Sequence, residues 1–200
     1  MANENQTNCD LGYLKREDKE RLIKQKSKAI WLTGLSGSGK TTITKMVERE
    51  LYKLGYLVKV LDADEVRTTI NKDLGYTIEA RTENIRRIAE VAKMFVNNGI
   101  IVFCCFVSPT EDIRNIARTA IGETDFIEVY VNASFNVCEQ RDVKGLYQKA
   151  RKGLIKNFTG LDSPYDKPLH PSIEIATNEL SIKESTDKLL NYILPFIRYS

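Results

Sequence analysis

A parallel α/β sheet of about five strands, with helices on both faces and a mobile lid, is the fold class this sequence predicts. Three observations predict it. Short apolar runs alternate with helix-like stretches, which implies crossover connections and a sheet covered on both sides. The first run, Ile30–Leu32, enters a glycine-rich loop that a helix-like segment leaves, from Thr41 to about Leu54. The chain's 200 residues are 42% hydrophobic, enough to bury one substantial core, and no repeats or low-complexity tracts compete.

Taken in order, residues 1–13 read as a disordered, polar tail and residues 14–200 as a single domain. Lys15–Lys28 is a charged segment expected to lead in as a surface helix. The strands are placed at Ile30–Leu32, Val58–Leu61, Ile100–Val107, Phe126–Val131 and, as a candidate fifth, Ile173–Ala176. Between them Glu83–Val96 is the clearest helix, because Ile85, Ile88, Ala89, Ala92, Phe95 and Val96 recur on one face. Asn97-Asn98-Gly99 stops it. Further helices are expected at Asp112–Ala120, Asn136–Arg141 and Ile182–Ile193. Ligands of such a sheet bind at the carboxyl ends of its strands.

The glycine-rich loop is Gly34-Leu35-Ser36-Gly37-Ser38-Gly39-Lys40-Thr41, followed by Thr42. It fits the phosphate-binding P-loop pattern in the strand-then-helix context that the motif requires, so a P-loop nucleoside triphosphate hydrolase-like fold is expected. Its glycines let backbone N–H groups turn toward one anion, and the helix adds the positive end of its dipole. Lys40 is then placed to reach the β- and γ-phosphates of ATP, and Thr41 to hold Mg²⁺. A flexible Gly/Ser turn is the competing reading. The strand, the spacing and the Lys-Thr pair count against it.

The acceptor must be read elsewhere. Asn71-Lys72-Asp73 suggests a guanine-reading motif, but Leu74 stands where a second Asp is needed, and that reading fails. A mechanical ATPase needs more chain, which leaves a small-molecule kinase. The second strand ends in Asp62-Ala63-Asp64-Glu65-Val66-Arg67. Two carboxylates at this spacing beside a P-loop suit Mg²⁺ and an attacking hydroxyl, although either one could be a turn residue or a helix cap. Arg67, Arg81 and Asn84 are candidate anion and amide ligands, and Tyr76 offers a ring for stacking. Arg86 and Arg87 read equally well as a solvated helix face.

Lys and Arg total 30 against 27 Asp and Glu, a net charge of +3, too slight to predict a nucleic-acid or membrane partner. The four cysteines, at positions 9, 104, 105 and 138, match no zinc or redox spacing, and Cys104 and Cys105 read as small buried hydrophobes. His170 reads as a loop residue. A polar N-terminus with no signal-peptide core predicts a cytoplasmic protein and leaves open a cryptic import signal of mitochondrial type.

Several blocks together resemble the adenylyl-sulfate kinase family: Leu61–Arg67, Asp73–Tyr76, Glu83–Lys93, Cys138–Tyr147 and Asn157–Tyr165. The resemblance runs from about Leu14 to Ile175. It implies transfer of the γ-phosphoryl group of MgATP to the 3′-hydroxyl of adenosine 5′-phosphosulfate (APS). By the same resemblance Tyr76 and Phe158 clamp the APS adenine, while Arg67, Arg81 and Asn84 take the phosphosulfate. Phe106-Val107-Ser108-Pro109, Glu65, Val66 and Asn157 border that pocket. Asp64 is assigned to orient the hydroxyl and accept its proton, and Asp62 to Mg²⁺ through water, although the two roles could be swapped. A lid over about residues 141–160 carries Lys144 onto the phosphates, and Arg141, Thr177 and Leu180 are candidates for the ATP adenine pocket. The resemblance further implies a homodimer, with APS supplied by a separate ATP sulfurylase. The chain departs from the family pattern at Ala63, where a Gly is usual, at Glu65, and at Thr110-Glu111. An Ala at a positive-φ position would strain the turn, and added acids would oppose an anionic substrate.

Overall fold

The computed structural model describes residues 12–199. The proposed tail therefore lies almost wholly outside the described residues. Five parallel strands form one sheet in the order β2-β3-β1-β4-β5: β1 is Ala29–Thr33, β2 Val58–Asp62, β3 Ile101–Cys105, β4 Phe126–Asn132 and β5 Ile173–Ala176. Alternation along β1 divides the core. Ala29 and Trp31 face a layer made with α4 (Ile78–Val96) and α5 (Glu111–Ile121), while Ile30 and Leu32 face one made with α2 (Lys40–Lys53) and α8 (Ile182–Ile197). The apolar runs lack period-two polarity because both faces are buried.

The lead-in helix, α1, is Arg16–Ile23 and stops at Lys24, whose φ is 52°. Helix α4 begins five residues before the expected Glu83, with the Thr77 hydroxyl capping the Ala80 amide. Its first turn is mostly exposed, so no apolar period announces it. Pro195 lies inside α8, which runs on to Ile197 rather than ending at Ile193. Two short helices escape the periodicity: α3, Ala63–Thr68, and α7, Leu146–Arg151; α6 spans Phe135–Arg141 between them in the chain. No helix among the described residues is long and apolar enough to cross a membrane.

A third small cluster, built from Ala133, Cys138, Tyr147, Ala150 and Phe158, packs α6 and α7 at the carboxyl end of the sheet. It carries the expected lid segment. β1, β2 and β3 end beside it, so the P-loop, the Asp62 turn and the Ser108 loop converge on one side of the molecule.

Candidate active site

The loop leaving β1 approaches its neighbours too closely for side chains. A Cβ on Gly34 would lie 2.5 Å from the Val131 carbonyl oxygen, and one on Gly37 would lie 2.9 Å from that of Cys138. The loop's carbonyls are taken in succession. Lys40 Nζ donates to Gly34 O and Leu35 O at 2.8 Å each, Tyr147 OH to Ser36 O at 2.8 Å, Arg141 Nη1 to Gly37 O at 3.3 Å, and Thr177 Oγ1 to Ser38 O at 2.7 Å. In a planar trans peptide the N–H points opposite to the C=O. The bonds to Ser36 O and Ser38 O therefore turn the Gly37 and Gly39 N–H groups the other way, as an anion cradle requires. Lys40 is 9% exposed, and burial lowers its ammonium to about 8.

Around this loop lies a cleft of about 1460 Å³, large enough for two nucleotide-sized molecules, since drug-sized ligands fill roughly 300–1,000 Å³. Asp62 and Asp64 line it, as do Thr41, Thr42 and Lys40. Asp62 does two things at once. Its Oδ1 accepts the Asp64 amide at 3.0 Å, capping α3, and its Oδ2 accepts from Thr41 Oγ1 at 2.8 Å. Asp62 is therefore a helix cap as well as a cleft residue. Because α3 starts at Ala63, that residue has helical backbone and lies outside the positive-φ set, so the feared strain is absent.

Asp64 is exposed and ion-paired with Lys144, from the turn between α6 and α7. The pair joins two residues that line the cleft and lie 80 positions apart in the chain.

On the other wall, Arg67 lies over the Tyr76 ring, 4.4 Å from its centroid, and Arg81 lies 5.9 Å from the same ring. Their hydrogen bonds go to neutral groups. Arg67 Nη1 donates to Gly75 O at 2.9 Å, while Arg81 donates to Tyr76 O, Thr159 Oγ1 and Asn157 O at 3.0, 3.1 and 2.6 Å. Burial, with Arg67 as a cationic neighbour, presses the Arg81 guanidinium below its ordinary pKa. Two neighbouring guanidinium groups are thus held by carbonyls, a hydroxyl and a ring, with no carboxylate among their hydrogen-bond partners. Asn84 is buried beside them and accepts from Asn71 Nδ2 at 3.0 Å.

Ser108 is 2% exposed with φ 43°, a left-handed backbone uncommon outside glycine. Its hydroxyl oxygen accepts from Trp31 Nε1 at 2.9 Å and its carbonyl from Arg114 Nη1 at 3.1 Å, so the loop is fixed from behind. Phe106, Val107 and Pro109 line the cleft with it, although Phe106 mostly stacks on Trp31 at 5.6 Å. Phe158 is buried against Tyr147, with centroids 4.8 Å apart and an edge-on angle of 77°. Thr177, Leu180 and Arg141 line the cleft on the α8 side.

Some expected residues are not cleft walls. Val66 is 2% exposed in the sheet core, so its side chain supports α3 instead of meeting a ligand. Leu35 faces a separate pocket beside Tyr130 and Tyr165. Gly34 and Ser38 shape the loop from behind, and Asn157 serves through its carbonyl on Arg81. Glu111 pairs with Arg114 at 2.5 Å and is absent from the cleft, which answers one departure from the family pattern; Glu65 does line it. Tyr147, Ile155 and Thr159 also line it, as does Cys105, whose sequence context predicts only a buried hydrophobe. Only Tyr147 had a visible signal, as a hydroxyl-bearing ring inside a charged segment.

A family model described as adenylylsulphate kinase matches residues 26–176. An adenylyl-sulfate kinase of Bacteroides thetaiotaomicron is 53% identical over 182 residues, covering 91% of this chain and 90% of its own. Among solved structures, the APS kinase of Mycobacterium tuberculosis in complex with AMPPNP and APS superposes with a TM-score of 0.81 at 39% identity, covering 84% of this chain and 98% of that one. A hexameric APS kinase from Thiobacillus denitrificans gives 0.65 at 26% identity, with 87% of this chain matching 30% of that one.

Proposed function

The chain belongs to the adenylylsulphate kinase family, and we infer from this and from its cleft that it transfers the γ-phosphoryl group of ATP to the 3′-hydroxyl of APS, giving 3′-phosphoadenylyl sulfate and ADP. The observation that carries the reading within the site is a single cleft with a P-loop at one end and the Arg67–Tyr76–Arg81 group at the other. One end suits a triphosphate and the other an aromatic base bearing anions.

In this reading the donor phosphates lie on the Gly37 and Gly39 amides, and Lys40 swings from the Gly34 and Leu35 carbonyls to the β- and γ-phosphates. Mg²⁺ fits Thr41 and Asp62, two hard oxygen donors already 2.8 Å apart; such an ion is held by one or two protein oxygens plus phosphates and would neutralise charge on the transferred group. Tyr76 and Phe158 take the APS adenine, and Arg67, Arg81 and Asn84 its phosphosulfate. Asp64 orients the 3′-hydroxyl and accepts its proton once Lys144 leaves it for the phosphates. Residues of about 141–160 form the lid whose closure excludes water. Direct transfer in this geometry relies on alignment and charge stabilisation and needs no covalent intermediate.

The reading extends to a cytoplasmic homodimer receiving APS from a separate ATP sulfurylase. Sedimentation of the purified protein tests the dimer, a relative being hexameric. For the activity, ADP release is coupled to a spectroscopic reporter with and without APS. Release that depends on APS is expected; release indifferent to APS would sink the assignment. The same outcome would leave a different small-metabolite kinase, and no release at all a nucleotide-binding regulator.

A further inference from the structure

Tyr147 is 1% exposed, yet its hydroxyl ends on a P-loop carbonyl, Ser36 O, at 2.8 Å. Its ring meets Phe158 edge-on at 4.8 Å and Phe135 at 5.4 Å. Its own amide and that of Gln148 donate to the Asp142 carboxylate at 3.0 Å each, which fixes the start of α7 independently of the ring. One rigid side chain thus touches the peptide that aims the Gly37 N–H and also supports the aromatic wall at Phe158.

We propose that Tyr147 is a positioning residue for the transfer step, tying the Ser36–Gly37 peptide of the donor half to Phe158 of the acceptor half. Without the hydroxyl, the Ser36 carbonyl loses its side-chain donor and the peptide can rotate, taking the Gly37 N–H out of line with the phosphates. Without the ring, Phe158 loses the aromatic contact that packs it where it lines the cleft. The two halves of the residue therefore act on different substrates. This rests on the assignment of Phe158 to the APS site made above.

The test uses Tyr147→Phe and Tyr147→Leu in the full chain, with ADP release measured while ATP and APS are varied separately and thermal unfolding followed in parallel. Tyr147→Phe keeps the ring contacts. It is expected to melt near the wild type, to lower kcat/KM for ATP about tenfold, equivalent to one hydrogen bond of about 1.4 kcal/mol, and to leave KM for APS within about twofold. Tyr147→Leu is expected to add a rise in KM for APS of about fivefold or more, which Phe at the same position rescues. The proposal is overturned if Tyr147→Phe keeps wild-type kcat and KM for ATP. It is overturned equally if either variant loses activity only in proportion to its loss of folded protein, or if both raise the two KM values by one common factor. A wild-type enzyme whose ADP release ignores APS would instead count against the functional assignment, so the two failures are distinguishable.

Discussion

Thr41 Oγ1 donates to Asp62 Oδ2 at 2.8 Å, joining the first residue after the P-loop lysine to the end of β2. The other oxygen of the same carboxylate caps α3. One side chain therefore carries a structural duty and a chemical one, and substitutions can separate them.

Asparagine at position 62 keeps one oxygen to cap the Asp64 amide, faces Thr41 Oγ1 with an amide donor in place of the second oxygen, and removes the charge. Asp62→Asn should lower kcat by about 100-fold or more while unfolding stays within roughly 1 kcal/mol of the wild type. Asp62→Ala should lose the cap as well, about 1 kcal/mol more. Steady-state kinetics beside urea titrations check both; normal turnover in the Asn variant would remove Asp62 from the metal.

Lys40 is buried and lowered to about 8, and bound phosphate favours its protonated form. Above that value the free protein has lost the proton, so nucleotide binding at pH 9 should take one up, and at pH 6.5 should not. Calorimetric titration in buffers of different ionisation enthalpy reads this directly. Lys40→Ala should abolish the uptake and lower transfer by about 100-fold or more, with unfolding still cooperative.

Phe158 is only 8% exposed and braced by Tyr147, so its removal has a folding consequence beside the kinetic one. Phe158→Ala should cost about 3 kcal/mol in denaturant unfolding and raise KM for APS about tenfold, with KM for ATP much less affected. Equal rises in both would undo the clamp.

Glu20 sits 3% exposed at the join of α1 and β1 and accepts from Ser27 N and Oγ at 2.8 Å each, Arg16 Nε at 2.9 Å and Lys26 Nζ at 3.1 Å. Burial opposes its charge, but these donors outweigh burial and hold the carboxyl down at about 2. A depressed carboxyl stabilises the fold fully above its ordinary 4.5 and loses that contribution as pH falls toward 2. Glu20→Gln should therefore unfold about 1–3 kcal/mol more easily at pH 7, with the gap to wild type closing in melts taken at successively lower pH. A pH-independent gap would mean that shape, not charge, is what Gln lacks.

Much of this protein was legible in its sequence because the signals are local. Gly34, Gly37 and Gly39 are needed by backbone conformation and close approach within one loop, and the apolar runs are continuous because each strand is buried on both faces. Those two facts determined the sheet, the phosphate end of the cleft and the class of donor. The residue blocks at Leu61–Arg67, Asp73–Tyr76 and Asn157–Tyr165 implied the acceptor only through a family resemblance, without showing how they meet. Val66 shows the limit: its place in a motif could not reveal that α3 turns its side chain into the core.

What only the tertiary structure decided are contacts with no periodicity to announce them. Tyr147 reaches Ser36 across 111 positions, Arg141 and Thr177 complete the loop's carbonyl partners, Lys144 closes on Asp64, and Arg81 ties α4 to Asn157 and Thr159. Each depends on where the chain returns after crossing the sheet, and a hydrogen bond about 3 Å long constrains that return far more tightly than any repeat of apolar residues can.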